Sequence, residues 1–232
     1  MSGHSAASVP RLAGAAFVAQ FVTSLGAGVL STSMLSGDVG TVLAAVGADT
    51  ARLRVVIVLE LLTSVGIIAL TSLLYVALRD TVRWVATVAF ALWLAEATVL
   101  AVGMLSLYTL VDLVDSGAVG ASTDPAIGLV ALDLHEHAGD IAMLFFSAGA
   151  LLWYWLLFRT RFVPRWLSAW GLASVTLVCL ATLMLVWDRS LQPPLLLYIT
   201  YVPVELAVGI WLLVTGSRVR REHADATAAR TR

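Results

Sequence analysis

Residues 54–78 read RVVIVLELLTSVGIIALTSLLYVAL, and this run decides the fold class. Beyond Arg54 it carries one ionisable side chain, Glu60. A helix of about 20 apolar residues crosses the ~30 Å hydrocarbon core of a bilayer, so the run is long enough to span it. It shows no period-two alternation, which argues against a membrane strand. Five further runs share its character, at 12–33, 83–110, 128–158, 166–187 and 195–215. The expectation is an all-α fold, a six-transmembrane-helix bundle in the cell membrane, with the lipid bilayer as its principal partner. Its divisions are an N-terminal cytoplasmic segment (1–10), the transmembrane domain (11–216) and a disordered cytoplasmic tail (217–232).

Composition supports this reading. Of 232 residues, 60% are hydrophobic and 12% charged, and the mean hydropathy is +0.93, more apolar than any soluble core requires. The 14 basic residues are all arginine and face 15 acidic ones, for a net charge of −1. No basic stripe alternates with aromatics, so nucleic acid is not expected as a partner. The single cysteine, Cys179, excludes a disulfide framework and a cysteine-based metal motif. Serine-nucleophile, phosphate-loop, dinucleotide and haem-attachment patterns are missing, and this favours a protein that is not an enzyme. At the N-terminus, Leu12 to Leu30 is long for a cleaved signal, is interrupted by Gln20, Thr23 and Ser24, and lacks a small-residue exit. It reads as a retained signal-anchor helix.

Arginine placement gives an orientation. With a cytoplasmic N-terminus, eleven arginines lie inside and three, Arg52, Arg54 and Arg189, lie outside, so both termini are expected in the cytoplasm. Trp84, Trp153, Trp155, Trp166, Trp170 and Trp211 fall toward the same inner boundary, as belt residues do. The connections at 79–82 and 160–164 are short and form hairpins. On the outer side, Val42 to Leu53 is weakly amphipathic and predicts a surface or re-entrant helix. The segment 111–127 carries Asp112, Asp115 and Asp124, which predicts an acidic outer rim. No internal repeat is seen.

At about 100° per residue, several helices gather their polar groups on one face. The second span aligns Glu60, Ser64, Thr71 and Tyr75; the first aligns Gln20, Ser24 and Ser31; the sixth aligns Tyr198, Tyr201, Glu205 and Gly209. Hydroxyls and glycines commonly serve helix packing. Packing does not require carboxylates, yet Glu60, Glu96 and Glu205 sit in apolar stretches of three separate helices with no arginine at comparable depth. Such a group must be protonated, hydrated or beside a cation. The expected ligand-binding residues are therefore Glu60, Glu96 and Glu205 with Tyr198, Tyr201 and Ser64, around an outward-facing acidic cavity.

The fourth span opens with Asp133-Leu-His-Glu-His-Ala-Gly-Asp140, in which five of eight residues are ionisable. Asp133, His137 and Asp140 share a stripe with Ser147 and have Glu136 on its edge, whereas His135 lies on the opposite face. The stripe makes Asp133, His137 and Asp140 candidate ligands for a divalent metal. The spacing is not that of His-Glu-x-x-His, and no second histidine lies deep in another helix. The same residues also suit a solvated helix start.

Three functional classes follow. The favoured one binds or passes a proton, a metal cation or a small cationic solute. The alternatives are a metal-dependent intramembrane enzyme, and a structural subunit whose buried acids bond between helices to a protein partner.

The chain also resembles a bacterial multi-pass membrane family catalogued as domain of unknown function 4386. The resemblance runs from about residue 11 to 216. It is carried by Leu59-Glu60-Leu61-Leu62 with Leu74-Tyr75-Val76-Ala77-Leu78-Arg79, by Ala95-Glu96-Ala97, and by Val163-Pro164-Arg165-Trp166-Leu167-Ser168-Ala169-Trp170-Gly171-Leu172. Val204-Glu205-Leu206 followed by Trp211-Leu212-Leu213-Val214-Thr215-Gly216 completes it. The resemblance implies a membrane fold, places the family's glutamates at Glu60, Glu96 and Glu205, and brings no settled activity. The His135-Glu136-His137 triplet departs from that pattern.

Overall fold

A computed structural model describes residues 9–116, 125–191, 193–194 and 196–230, with side chains from 217 onward and at Pro125 outside the description. The chain is helical: α1 (Val9–Met34), α2 (Val39–Ala48), α3 (Thr50–Leu78), α4 (Arg83–Asp115), α5 (Pro125–Thr160), α6 (Arg165–Trp187), a 3-10 turn (Arg189–Leu191), α7 (Leu196–Ile199) and α8 (Val202–Arg230). Among the described residues, six helices are long and apolar enough to cross a membrane; the last of these spans covers Leu196–Gly216. The protein is a six-span helical membrane bundle.

Local chemistry sets the boundaries. Asp38 caps α2 by accepting from the Thr41 amide at 2.8 Å, and Asp49 caps α3 by accepting from Arg52 N at 3.0 Å. A proline opens α5, where its missing N–H has no helical partner to lose. Arg161, at φ 56°, takes the left-handed conformation that turns α5 into α6.

The spans form a ring. Each packs against its chain neighbour (α3 on α4, α4 on α5, α5 on α6), while α1 lies between α3 and α8; the seam between α6 and α8 is the sparsest. One core cluster fills the end marked by the two short hairpins, around Leu74, Leu78, Trp153, Tyr154, Leu157 and Leu212. A second fills the opposite end around Val42, Val46, Leu53, Ile57, Leu107 and Leu110, but draws only on α1 to α5. The turn at Arg189–Leu191 and α7 bury nothing. Outward faces carry exposed Val22, Val29, Val65, Leu105, Leu180 and Val214. Water would oppose such a surface, whereas lipid solvates it.

Several expectations are corrected. The predicted amphipathic helix exists as α2, but it ends at Ala48 because Asp49 is both its stop and the cap of α3. Asp112 and Asp115 belong to α4, which continues because Leu110 and Val111 are buried in the second core; Asp124 lies outside the described residues. The end expected to face outward is also charge-paired rather than simply acidic: Arg54 meets Asp115 and Arg189 meets Glu136 and Asp140. Trp153 is core, 1% exposed, whereas Trp84, Trp166 and Trp170 are exposed as belt residues would be. The backbone of α8 is helical to Arg230, and its Arg, Glu and Ala residues are good helix formers.

Candidate functional site

Between the two cores, all six spans line one cavity of about 360 Å3. From α3 come Glu60, Thr63, Ile67 and Leu70, which recur at helical spacing and so form one stripe. From α4 come Trp93, Glu96 and Leu100; from α1, Gln20 and Ser24. The opposite wall is Gly139, Ala142, Met143 and Phe146 of α5 with Val178 of α6. Tyr198, Tyr201, Val202 and Glu205 complete it at the start of the last span. Among the described residues, no arginine lines the cavity.

The acids differ in their surroundings. Glu205 is half-buried and its Oε1 accepts a hydrogen bond from the Gln20 side-chain amide. Glu96 is 6% exposed, and its Oε2 is buried with no hydrogen-bond partner. A buried acceptor left unmatched costs on the order of 1–3 kcal/mol, so this atom has the capacity to accept from a donor entering the cavity. Glu60 is half-buried and reaches a second cavity of about 220 Å3, which it shares with Leu100, Gly139, Gly103 and His135.

Beside the acids stands an aromatic wall. Trp93 and Phe146 stack with centroids 6.2 Å apart and planes 9° from parallel. Trp93 is fixed there because its Nε1 donates to the Phe146 carbonyl at 3.1 Å. Phe146 meets the Tyr201 ring edge-on at 5.1 Å and 73°, and the Tyr154 hydroxyl donates to that of Tyr201 at 3.4 Å.

Five of the six expected ligand-binding residues (Glu60, Glu96, Glu205, Tyr198 and Tyr201) line this cavity. Ser64 does not: it is buried, and its hydroxyl donates to the Glu60 carbonyl at 3.1 Å. Thr63 takes its place, because α3 is turned by about 70° from the face that periodicity suggests. Gln20 carried a polar signal in an apolar run. Trp93, Phe146 and Met143 carried none, since an apolar cavity wall and a packing face look alike in sequence.

The expected metal residues are arranged otherwise. Asp133 is exposed and offers its backbone carbonyl to His137 Nδ1. Arg189 occupies the stripe instead: Nη1 lies 3.0 Å from His137 Nε2, while Nη2 donates at 3.1 Å to both Glu136 Oε2 and Asp140 Oδ2. Among the described residues, no group of three or more His, Cys, Asp or Glu side chains is placed to hold a metal ion. The 188–195 connection supplies a cation to that face, and sequence periodicity within α5 could not show this. Because the acidic stripe turns toward Arg189, the opposite face carries His135 to the second cavity, where its Nδ1 is buried without a partner. His135, set aside on periodicity, is thus nearer to Glu60 than expected.

The family described as "Domain of unknown function (DUF4386)" matches residues 12–216. No curated protein and no solved structure matches the chain.

Proposed function

Taking as premise that the chain belongs to the DUF4386 family of multi-pass membrane proteins, we propose that its cavity binds or passes a cation: a proton, a metal cation or a small cationic solute. The observation that carries this reading is the unpartnered, buried Oε2 of Glu96 in a cavity that Glu60 and Glu205 also line and no arginine among the described residues neutralises. Membrane-embedded carboxylates on facing helices are the usual groups of proton relays and cation sites.

In this reading both termini are cytoplasmic, residues 11–216 form the working domain, and the cavity opens outward in the cell membrane. Two features support the direction. The core at the hairpin end includes residues of all six spans, whereas the opposite core leaves α6, the Arg189 turn and α7 uncovered. The eleven-to-three arginine bias supports an outward position for that uncovered end.

The test is reconstitution in proteoliposomes, measuring binding and flux of protons, manganese ion and methylammonium for the wild type, Glu96→Gln and Glu205→Gln. Loss of binding or flux of at least one of these cations in the variants is expected. Unchanged binding and flux of all three in both variants overturns the proposal.

A further inference from the structure

The cavity has two chemically distinct halves, and their pairing narrows the class of cation. One half is acidic: Glu205 already accepts from Gln20, and Glu96 offers an acceptor that no described residue fills. The other half is apolar and aromatic, with stacked Trp93 and Phe146 beside Leu100 and Met143. We infer that this site takes an organic ammonium with a small apolar body, the ammonium on Glu96 and Glu205 and the body against Trp93 and Phe146. This rests on reading the cavity as a cation site and specifies its occupant.

The alternatives fit the walls less well. A bare metal ion is held by several oxygen, nitrogen or sulfur ligands at once, and no such group is gathered among the described residues. A proton needs no room, yet about 360 Å3 is open, within the ~300–1,000 Å3 usual for small-molecule pockets. An ammonium head supplies the N–H donors that Glu96 Oε2 lacks, and its positive charge is attracted by the negative faces of aromatic rings. The apolar body in turn buries apolar surface against Leu100 and Met143. Indole and phenyl faces discriminate in favour of cations over neutral molecules of the same shape.

The experiment is equilibrium binding by calorimetry to the purified full chain in nanodiscs. The probes are phenethylammonium, methylammonium, phenylethyl alcohol and manganese ion. One phenethylammonium is expected per chain, bound at least about tenfold more tightly than methylammonium or phenylethyl alcohol, the gain of one buried aromatic contact or one charge-assisted bond. Glu96→Gln is expected to weaken phenethylammonium about tenfold. Phe146→Leu, which keeps an apolar wall, is expected to remove most of its advantage over methylammonium. Each variant is checked for an unchanged thermal midpoint, and Glu205→Gln replaces Glu96→Gln should the latter fail to fold.

Methylammonium or manganese binding that depends on Glu96, with no gain from the phenyl group, overturns this inference and leaves the cation site standing. Phenylethyl alcohol binding as tightly as phenethylammonium also overturns it. Absence of binding by every probe overturns this inference, and the cation reading then stands or falls on the proton flux measured in proteoliposomes.

Discussion

Gln20 of α1 donates its side-chain amide to the carboxylate of Glu205 of α8, so the first and last spans are joined by a polar bond at the wall of the cavity. Hydrogen bonds between membrane helices contribute about 0.6 kcal/mol on average, and more where loss strands a buried acceptor. Gln20→Leu is expected to destabilise the protein by about 1 kcal/mol. In a Glu205→Leu background the same change should cost much less. Thermal unfolding of the four proteins in one detergent measures the coupling, and full additivity contradicts the bond.

The contact of α1 with α8 is also close enough to exclude a methyl group. A Cβ at Gly14 would lie 2.7 Å from the Gly209 carbonyl oxygen and 2.9 Å from the Leu213-preceding carbonyl carbon at Leu212, both backbone atoms. Gly14→Ala is therefore expected to lower stability by about 1–3 kcal/mol, the usual range for overpacking. Gly28, farther along α1, has open space where its Cβ would stand. Gly28→Ala should be neutral or stabilising by up to about 1 kcal/mol through helix propensity. Equal effects at the two sites would contradict the packing.

Arg189 ties the connection after α6 to Glu136 and Asp140 of α5, but its side chain is 40% exposed and Glu136 is 63% exposed. Exposed pairs of this kind contribute about 0–1 kcal/mol. Arg189→Ala should thus cost no more than about 1 kcal/mol at ordinary salt. It also leaves two acids one helical turn apart, which repel. The variant should accordingly be least stable relative to wild type at low salt, as a salt series of melting curves would show.

At Asp38 the Thr41 backbone amide and then the Thr41 hydroxyl hold the carboxyl below its ordinary value of 3.8. A depressed folded value means that the capping contribution is complete above the ordinary value and is lost as pH falls through the lower folded one. Hydrogen exchange at the Thr41 amide should therefore lose protection, beyond the intrinsic pH trend, only in that acidic window. Asp38→Asn, which caps without titrating, should keep its protection there.

Impermeant maleimide tests the orientation directly. In a Cys179→Ala background, cysteine at exposed Ser36 should be labelled from outside intact cells, whereas cysteine at exposed Asp80 should react only after permeabilisation. The reverse pattern would invert the topology.

The spans were legible because a helix in lipid needs a long apolar run whatever it packs against, and residues 54–78 state that requirement openly. Glu60, Glu96 and Glu205 were legible for the complementary reason that each is costly in such a run. What periodicity could not supply was rotation finer than about 70°, and so Ser64 stood in for Thr63. Nor could it reveal partners brought by other segments. Arg189 is 49 residues from Asp140, and only the fold of the intervening chain turns a metal-like stripe into an ion-paired one. Trp93 and Phe146 were invisible as site residues because their chemistry is the same in a wall as in a core.

Closing the ring between α1 and α8 has a consequence for biosynthesis. A nascent chain that has inserted its first five spans holds Gln20 without Glu205, and the cavity lacks the wall that Tyr198 and Tyr201 provide. The site comes into being only with the final insertion, so a product stopped after α6 carries most of the sequence and none of the finished chamber.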